Sequence, residues 1–303
     1  MLISIDHGNK QIKTIRKTFT SGLCESDTKP PFGQDVLFYK GKYYTLSDQR
    51  IPYMRDKSAD ERFFVLTLFA IGFELRRVLV SEDPVKIQLC IGLPPAHFGT
   101  LYQKFEQYFL NRGVQHFRLD GEAHSILITD AVCFPQAYAA AIPLYSKFQQ
   151  LPKTVVVDIG GFTADYLQIK YGQADLSVCD SLENGVIVFY NRVRSKINAD
   201  FDMLLEESDI DTILMEKGLD YNEAVCRIVR EQAQLFIDDL AGKLRERMID
   251  LRIGKTIFVG GGSILLRKQI EACGKIGSVL FVNELAANTK GYELLYRASK
   301  LGG

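Results

Sequence analysis

Residues Val155–Lys170 read VVVDIGGFTADYLQIK: an apolar β run that ends in Asp158, a Gly-Gly turn and a returning strand. The same pattern occurs at Leu2–Thr14, LISIDHGNKQIKT, where Asp6 precedes a Gly-Asn turn. A carboxylate at the end of a buried strand is costly unless a cation or a hydrogen-bond donor compensates it. Two such hairpins about half a chain apart predict two related halves. Each half opens with a hairpin whose carboxylate needs a cation or a hydrogen-bond donor beside it.

Both hairpins have the composition of a phosphate site. Backbone N–H groups in a glycine-containing turn form a concave anion site, and glycine lets the main chain approach phosphate oxygens closely. Asp6 and Asp158 can each hold water on a Mg²⁺ that bridges phosphate oxygens, because Mg²⁺ keeps several waters and takes few direct protein ligands. The ammonium group of Lys13 can reach back toward the phosphates and act on them as a positive point charge. The remaining predicted phosphate contacts are Gly8, Asn9, Gly160, Gly161, Phe162 and Thr163.

Two points about these hairpins stay open. Thr163 and Asp165 can pin the second hairpin, and Asp165 can alternatively orient the water of the metal. Either hairpin alone is explained well by a structural Asp-Gly turn with no chemical meaning. The occurrence of both, each after an apolar strand and each opening a half of the chain, favours the phosphate interpretation.

A third turn, IFVGGGSILL at Ile257–Leu266, lies between a predicted strand and a predicted helix. It lacks the GK[ST] of a Walker A loop and the GxGxxG pattern with a following acidic residue. Close packing of a helix on a strand explains three glycines equally well. After two phosphate hairpins, we expect Gly260, Gly261, Gly262 and Ser263 to face an adenosine and its α-phosphate at a helix N-terminus.

Composition limits the classes of partner. The 303 residues carry 37 basic and 37 acidic side chains, which argues against direct nucleic-acid binding because that needs a basic surface. The longest apolar run, Phe63–Phe73, is too short to span a membrane, and the N-terminus enters a strand at once without a signal-peptide pattern. The six cysteines are scattered without metal-ligand spacing, which predicts free thiols. A cytoplasmic protein that contacts neither membrane nor DNA directly is expected.

Hydrophobic periodicity and turn residues predict alternating strands and helices in both halves. The first domain is predicted at residues 1–150 together with a C-terminal helix at 285–303, and the second domain at 151–284. The predicted first-half elements are an opening hairpin of residues 2–5 and 12–19, the hairpin Val36–Tyr39 with Lys42–Leu46, a helix Asp60–Val80 with Ser58 as N-cap, a strand Val85–Ile91, a helix His97–Arg112, a strand Ser125–Val132 and a helix Phe134–Tyr145.

Three motifs in this order resemble the actin-like ATPase superfamily: phosphate loop 1, phosphate loop 2 and an adenosine loop. DIGGFTAD is similar to the family's DLGGTTLD, VGGGS matches the adenosine loop, and IGLPP at Ile91–Pro95 matches a strand end of the first domain. The opening MLISIDHGNKQIKT and the chain length most resemble the bacterial plasmid-segregation actins (ParM/StbA-like). The resemblance implies a duplicated two-domain α/β fold, actin-like and ribonuclease H-like, with the nucleotide in the interdomain cleft.

The resemblance also implies further site residues. Gly185 would start the helix behind the nucleotide, and Gln136 would stand where the family's interdomain connecting helix begins. Gln136 replaces the Glu of the plasmid-segregation actins, so a catalytic carboxylate is not carried over, and the expected catalytic residues are Gln136, Asp158 and Asp6. His7 stands where those actins have a second Asp, which leaves less negative charge beside the metal.

The function implied by the resemblance is an ATPase that binds ATP, ADP and Mg²⁺ and polymerises head to tail. Hydrolysis would destabilise the filament, and a DNA-bound ParR-like adaptor protein would link the filament to plasmid or mobile-element DNA. Two other functions stay open: a nucleotide-dependent regulator or chaperone-like ATPase that does not polymerise, and a small-molecule kinase of the same superfamily. The kinase is disfavoured because no substrate-binding insertion with convergent polar residues lies between the hairpins.

Overall fold

The chain was analysed as a computed structural model that describes residues 1–31, 33–76, 84–217 and 221–301. It divides into two compact units. Unit 1 comprises Met1–Pro143 and Leu285–Gly303, and unit 2 comprises Leu144–Glu284. The C-terminal segment therefore returns to the first unit. Each unit is built on its own mixed β-sheet with its own hydrophobic core.

Unit 1 contains a seven-stranded sheet in the order β1-β8-β10-β9-β6-β7-β5 and a small sheet β2-β3-β4. The first three strands of the large sheet are parallel and the others pair antiparallel. The strands are β1 Leu2–Ser4, β2 Asp6–His7, β3 Gln11–Lys13, β4 Thr18–Thr20, β5 Leu23–Ser26, β6 Val36–Tyr39, β7 Lys42–Leu46, β8 Val85–Leu93, β9 Val114–Leu119 and β10 Glu122–Pro135.

The helices of unit 1 cover the large sheet. Helix α1, Glu61–Leu75, is buried almost all round, as its near-continuous apolar sequence requires. The others are α2 Pro95–Leu110, α3 Tyr138–Ala141 and the C-terminal helix, α9, Ala287–Leu301; short 3₁₀ segments occur at Lys57–Ala59 and Ile142–Lys147.

Unit 2 has a five-stranded sheet in the order β13-β12-β11-β14-β15, with an antiparallel half and a parallel half. Its elements are β11 Thr154–Ile159, β12 Ala164–Lys170, β13 Gln173–Leu182, α4 Val186–Phe201, α5 Glu207–Leu214, α6 Glu223–Glu246, β14 Lys255–Val259, α7 Gly261–Leu265, α8 Arg267–Ala272 and β15 Ser278–Phe281.

Several sequence-based boundaries were wrong for identifiable reasons. The N-cap of α1 is Asp60, whose carboxylate accepts from the N–H of Arg62, while Ser58 lies in the preceding 3₁₀ turn; the predicted end of this helix, Val80, falls outside the described residues. The returning strand predicted for residues 12–19 is divided, because the Thr14 hydroxyl accepts from the N–H groups of Arg16 and Lys17 and forms a turn.

The largest error concerns the predicted helix Phe134–Tyr145. Strand β10 continues through Phe134 to Pro135, which pairs with Leu93 of β8. Only Tyr138–Ala141 is α-helical, and a 3₁₀ segment follows. Pairing with β8 overrides the helix propensity of this alanine-rich stretch.

Candidate functional site

Asp6 lies just beyond β1 and is held by three polar groups of unit 1. β1 pairs with the interior strand β8, and the chain then enters β2, where Asp6 lies opposite Lys13 of β3. The residue is only 3% exposed. Its Oδ1 accepts a hydrogen bond from Gln136 Nε2 at 2.7 Å, and its Oδ2 lies 3.5 Å from Asn288 Nδ2 and 3.8 Å from Lys13 Nζ. These donors offset the cost of burying the carboxylate.

Gln136 is fixed through its main chain as well. Its N–H donates to the carbonyl of Leu93 at 2.8 Å, and its carbonyl accepts from the N–H of Tyr138 at 2.6 Å. The second bond closes a γ-turn around Ala137, whose φ of 62° and ψ of −56° are those of the rare, strained form of this turn. The Ala137 N–H donates to Asn288 Oδ1 at 3.1 Å. Strain of this kind persists only where neighbouring groups impose it.

The bond to Asp6 defines the orientation of the Gln136 amide. An ionised carboxylate only accepts hydrogen bonds, so the NH₂ group of Gln136 must face it. The amide oxygen Oε1 is then the atom that can accept a hydrogen bond from a water molecule.

His7 has a structural environment that the sequence did not indicate. It is fully buried; its Nε2 lies 2.8 Å from Thr67 Oγ1, and its ring packs against Phe105 and Phe109. Burial, together with the charge of Lys57, lowers the pKa of His7 to about 3, so the ring is neutral at physiological pH. The ring points into the core, and the side chain contributes no negative charge at the turn, as the sequence predicts for a histidine in place of an aspartate.

A buried lysine side chain stabilises the turn that follows His7. The buried Lys57 donates from Nζ to the carbonyl of His7, one residue before Gly8. A Cβ on Gly8 would lie 2.6 Å from the carbonyl oxygen of Gln11, so a side chain there would disrupt the turn. Asn9 Oδ1 accepts a long hydrogen bond, 3.5 Å, from a backbone N–H of the segment before the 3₁₀ turn.

In unit 2, Asp158 and Asp165 lie opposite each other on β11 and β12, and both are buried. Asp165 accepts hydrogen bonds from Thr163 Oγ1, at 3.3 Å, and from Ser181 Oγ. These bonds tie the hairpin turn to the neighbouring strand β13. Of the two roles considered for Asp165, its geometry supports the pinning of the turn.

The turn of this hairpin is joined to the start of helix α4. The N–H of Gly160 donates to the carbonyl of Thr163 at 2.8 Å and closes the turn. A Cβ on Gly185 would lie 2.5 Å from the carbonyl carbons of the turn, so only glycine fits there. The turn carbonyls accept from the first N–H groups of α4, each at 3.0 Å: Gly160 from Val186, Gly161 from Ile187 and Phe162 from Gly185.

The glycine turn after β14 lies directly beside Asp158. Strand β14 runs parallel to β11 with Val259 in register with Asp158. Gly260 has φ +87°, a region that favours glycine, and a Cβ there would overlap Asp158 Oδ1 and lie 2.8 Å from the carbonyl oxygen of Ile159. Gly260 therefore lets this turn approach the carboxylate.

The next residues of the turn serve packing. A Cβ on Gly262 would lie 2.5 Å from a methyl group of Ile159 and 2.6 Å from one of Val186. Ser263 is 1% exposed, and its hydroxyl donates to the carbonyl of Val259 at 2.5 Å. Close helix–strand packing, which the sequence left open, accounts for Gly262 and Ser263, whereas Gly261 begins α7.

Each hairpin, taken by itself, has a carboxylate that suits Mg²⁺ bound through water. Asp6 and Asp158 offer carboxylate oxygens, the ligand type that Mg²⁺ prefers. Across residues 1–31, 33–76, 84–217 and 221–301, no group of three His, Cys, Asp or Glu side chains is arranged to hold a metal. A cage built from protein ligands alone is thus absent from the described chain, and waters or phosphate oxygens would have to complete the coordination.

Sequence reasoning missed two contributors to the site in unit 1. Asn288 is 282 residues from the Asp6 it contacts, so no local pattern indicated it. Lys57 reads as an ordinary surface lysine in the sequence, yet it is 3% exposed. The one feature of the sequence that could have indicated its burial was its position between a loop and the long apolar helix.

In the described part of the chain, no helix is both long and apolar enough to cross a membrane.

Two family models match the chain. Residues 4–138 match the N-terminal domain of actin-like proteins, and residues 156–272 match the C-terminal part of the MreB-like archaeal actin homologue. No curated protein sequence matches.

Solved structures with the same fold span the full length of the chain. The actin-like protein Alp7A superposes with a TM-score of 0.77 at 16% identity, covering 100% of this chain and 98% of that one. Apo pSK41 ParM gives 0.73 at 18% identity, with 99% and 98% covered. The AlfA filament bound to AMPPNP gives 0.66 at 15% identity, with 100% and 98% covered. The comparisons confirm the predicted fold.

Proposed function

We propose that this chain, which belongs to the actin-like superfamily, binds ATP with Mg²⁺, hydrolyses it and assembles into filaments. The observation that carries the proposal is the pair formed by Asp6 and Gln136: a buried carboxylate beside a glycine turn, with an amide held 2.7 Å from it. In-line attack of water on a phosphate needs such groups, because there a protein mainly positions the water and stabilises charge.

The backbone of the hairpin turns would bind phosphate oxygens, at Gly8 and Asn9 in unit 1 and at Gly161 in unit 2, where the N–H of Gly160 closes the turn. Lys13, whose ammonium already lies 3.8 Å from Asp6, would add a positive charge. Asp6 and Asp158 would hold Mg²⁺ through water molecules. When bound, Mg²⁺ would neutralise the charge that develops on the phosphates.

The proposed role of Gln136 is to orient the attacking water through Oε1. A neutral amide cannot take up the proton as a general base would. It can still align the water for in-line attack, as a glutamine does in several GTPases. The remaining nucleotide contacts would come from the main chain at Gly260 and Gly261 and from the segment at Gly185, which packs against the second hairpin.

Filament formation is supported by the likeness to the AlfA filament bound to AMPPNP, which covers 100% of this chain. A head-to-tail contact that does not close into a ring generates an open helical filament. We propose that hydrolysis destabilises this filament and that a DNA-bound ParR-like adaptor links it to plasmid or mobile-element DNA. The balanced charge of the chain supports an adaptor, since direct DNA binding would need a counterion-release term.

Binding and hydrolysis are tested together by equilibrium titration with a fluorescent ATP analogue and by a phosphate-release assay, each with Mg²⁺ and with EDTA. We expect Mg²⁺-dependent binding and release of inorganic phosphate to water. Absence of binding at millimolar nucleotide would contradict the proposal. ATP consumption that appears only when a small-molecule acceptor is added, with the phosphoryl group transferred to that acceptor, would favour the kinase.

A further inference from the structure

The C-terminal helix α9 contributes a side chain to the centre of the site in unit 1. Asn288 lies in its first turn and is 8% exposed. Its amide makes two contacts of opposite type: Nδ2 faces Asp6 Oδ2 at 3.5 Å, and Oδ1 accepts from the N–H of Ala137 at 3.1 Å. One amide thus bridges the acidic residue of the hairpin and the turn that carries Gln136.

The turn that Asn288 holds is strained. Ala137 has the dihedral angles of a γ-turn form that costs energy in a residue with a side chain. The bond from its N–H to Asn288 fixes the peptide between Gln136 and Ala137. That peptide determines where the Gln136 side chain starts, so Asn288 acts on Gln136 through the main chain while it also contacts the carboxylate that Gln136 bonds.

Helix α9 is itself placed with little freedom. A Cβ on Gly291 would lie 2.9 Å from the Cα of Ala139, so the helix packs directly against the main chain of α3. Tyr292 is fully buried and stacks on Phe134 with ring centroids 5.9 Å apart. The Tyr296 hydroxyl donates to Asp130 Oδ2 at 2.8 Å. A side chain on so rigid an element can hold a site in register better than one on a loop.

We propose that Asn288 is a positioning residue that holds Gln136 and Asp6 in the geometry needed for water attack. The inference rests on the proposed function, because it assigns a role within that hydrolysis reaction. On this account the C-terminal helix supplies a positioning side chain to the site in unit 1, which gives a reason for the chain to return to this unit.

A double-mutant cycle tests the inference in the full-length protein. If Asn288 acts partly through Gln136, its removal should have a smaller effect on turnover once Gln136 is gone. We expect Asn288→Ala to lower turnover roughly tenfold, less than the roughly hundredfold that a misplacement of about 1 Å can cost, while ATP affinity changes less than about twofold. The variant lacking both side chains should lose less turnover than the product of the two single losses.

Two further variants separate positioning from folding. Asn288→Ser keeps a polar side chain in the first turn of α9 but is too short to bridge Ala137 and Asp6, and it should also lose turnover while its melting temperature stays near that of the parent. Asn198→Ala removes an exposed amide on α4 and should leave turnover unchanged. Additive losses in the cycle, or full activity of both Asn288 variants, would overturn the inference alone. Absence of ATP hydrolysis by the parent chain would overturn the proposed function, and this inference with it.

Discussion

The side chain of Gln136 donates from Nε2 to Asp6 Oδ1 at 2.7 Å, a contact between residues 130 positions apart in the chain. It joins the residue after β10 to the first residue of β2, just beyond β1, and β1 and β10 flank β8 in the parallel part of the unit 1 sheet. The two groups that we propose to act on the attacking water and on the metal are therefore mechanically coupled. A change at either residue should alter the position of the other.

Gln136→Ala should slow phosphate release by about tenfold to a hundredfold, in the range expected when a group that positions the nucleophile is lost. ATP affinity should barely change, because the phosphates are proposed to bind the glycine turns. Single-turnover phosphate release and equilibrium titration measure the two quantities separately. Gln107→Ala, which removes an exposed amide on α2, is the matched control. Equal losses in binding and turnover would reject the water-positioning role.

Asp6→Ala and Asp158→Ala should each reduce hydrolysis by on the order of a hundredfold, as seen when one electrostatic stabiliser is removed. The Mg²⁺ dependence of ATP binding should weaken in both variants, since each lacks one proposed water-mediated contact to the metal. Titrations at several Mg²⁺ concentrations check this, with Asp48→Ala as a control for loss of an exposed carboxylate. If both variants kept parental turnover, the two hairpins would be structural turns only.

Gly260→Ala should destabilise unit 2 and impair nucleotide binding. The added methyl group would overlap Asp158 Oδ1, and the φ of +87° is unfavourable for alanine. We expect a loss of at least about 1 kcal/mol in the free energy of unfolding, the usual cost of a strained backbone position. Gly274→Ala, at a glycine with open space around its Cα and no positive φ, should be nearly neutral in the same urea titrations. Similar effects of the two substitutions would contradict the close approach of Gly260 to Asp158.

The buried His7 predicts a pH dependence of stability. Its pKa is about 3 in the folded chain and 6.5 as the ordinary value, so the unfolded chain binds the proton more tightly. Its contribution to stability is therefore complete above pH 6.5 and falls as the pH drops toward 3. Between pH 7 and 5 this amounts to about 2 kcal/mol.

His7→Gln removes the titrating ring and should remove that part of the pH dependence. The measurement is the free energy of unfolding by urea at pH 7 and pH 5 for both proteins. His116→Gln, at an exposed histidine, is the control and should retain the parental pH dependence. A parental slope in His7→Gln would show that other groups account for the loss of stability in acid.

Much of the fold could be predicted because its signals are local. The Asp158 hairpin is encoded within sixteen consecutive residues by an apolar run, two glycines and a second apolar run, and strands β11 and β12 lie where that pattern places them. The same holds for β6 and β7, which pair across the Lys40-Gly41 turn. Such short-range patterns fix strand, turn and strand before any tertiary contact forms.

The parts that could not be predicted depend on contacts between distant segments. Strand β10 extends to Pro135 because β8 is available to pair with it, and the helix expected at Phe134 is lost for that reason. The ring of His7 points into the core because Thr67 and two phenylalanines of α2 receive it there. The role suggested for Asn288 arises only when the C-terminal helix packs on α3. None of these partners is visible in the local sequence.

Nucleotide-dependent assembly is the most direct test of the central claim. Sedimentation of the purified chain over a concentration series, with ATP, with ADP, with a non-hydrolysable ATP analogue and without nucleotide, should show pelleting above a threshold concentration. We expect pelleting with ATP and with the analogue, and light scattering that rises after ATP addition and declines as phosphate is released. A chain that hydrolyses ATP yet stays monomeric with the analogue at tens of micromolar, in several salts, would contradict the filament account and favour a non-polymerising ATPase.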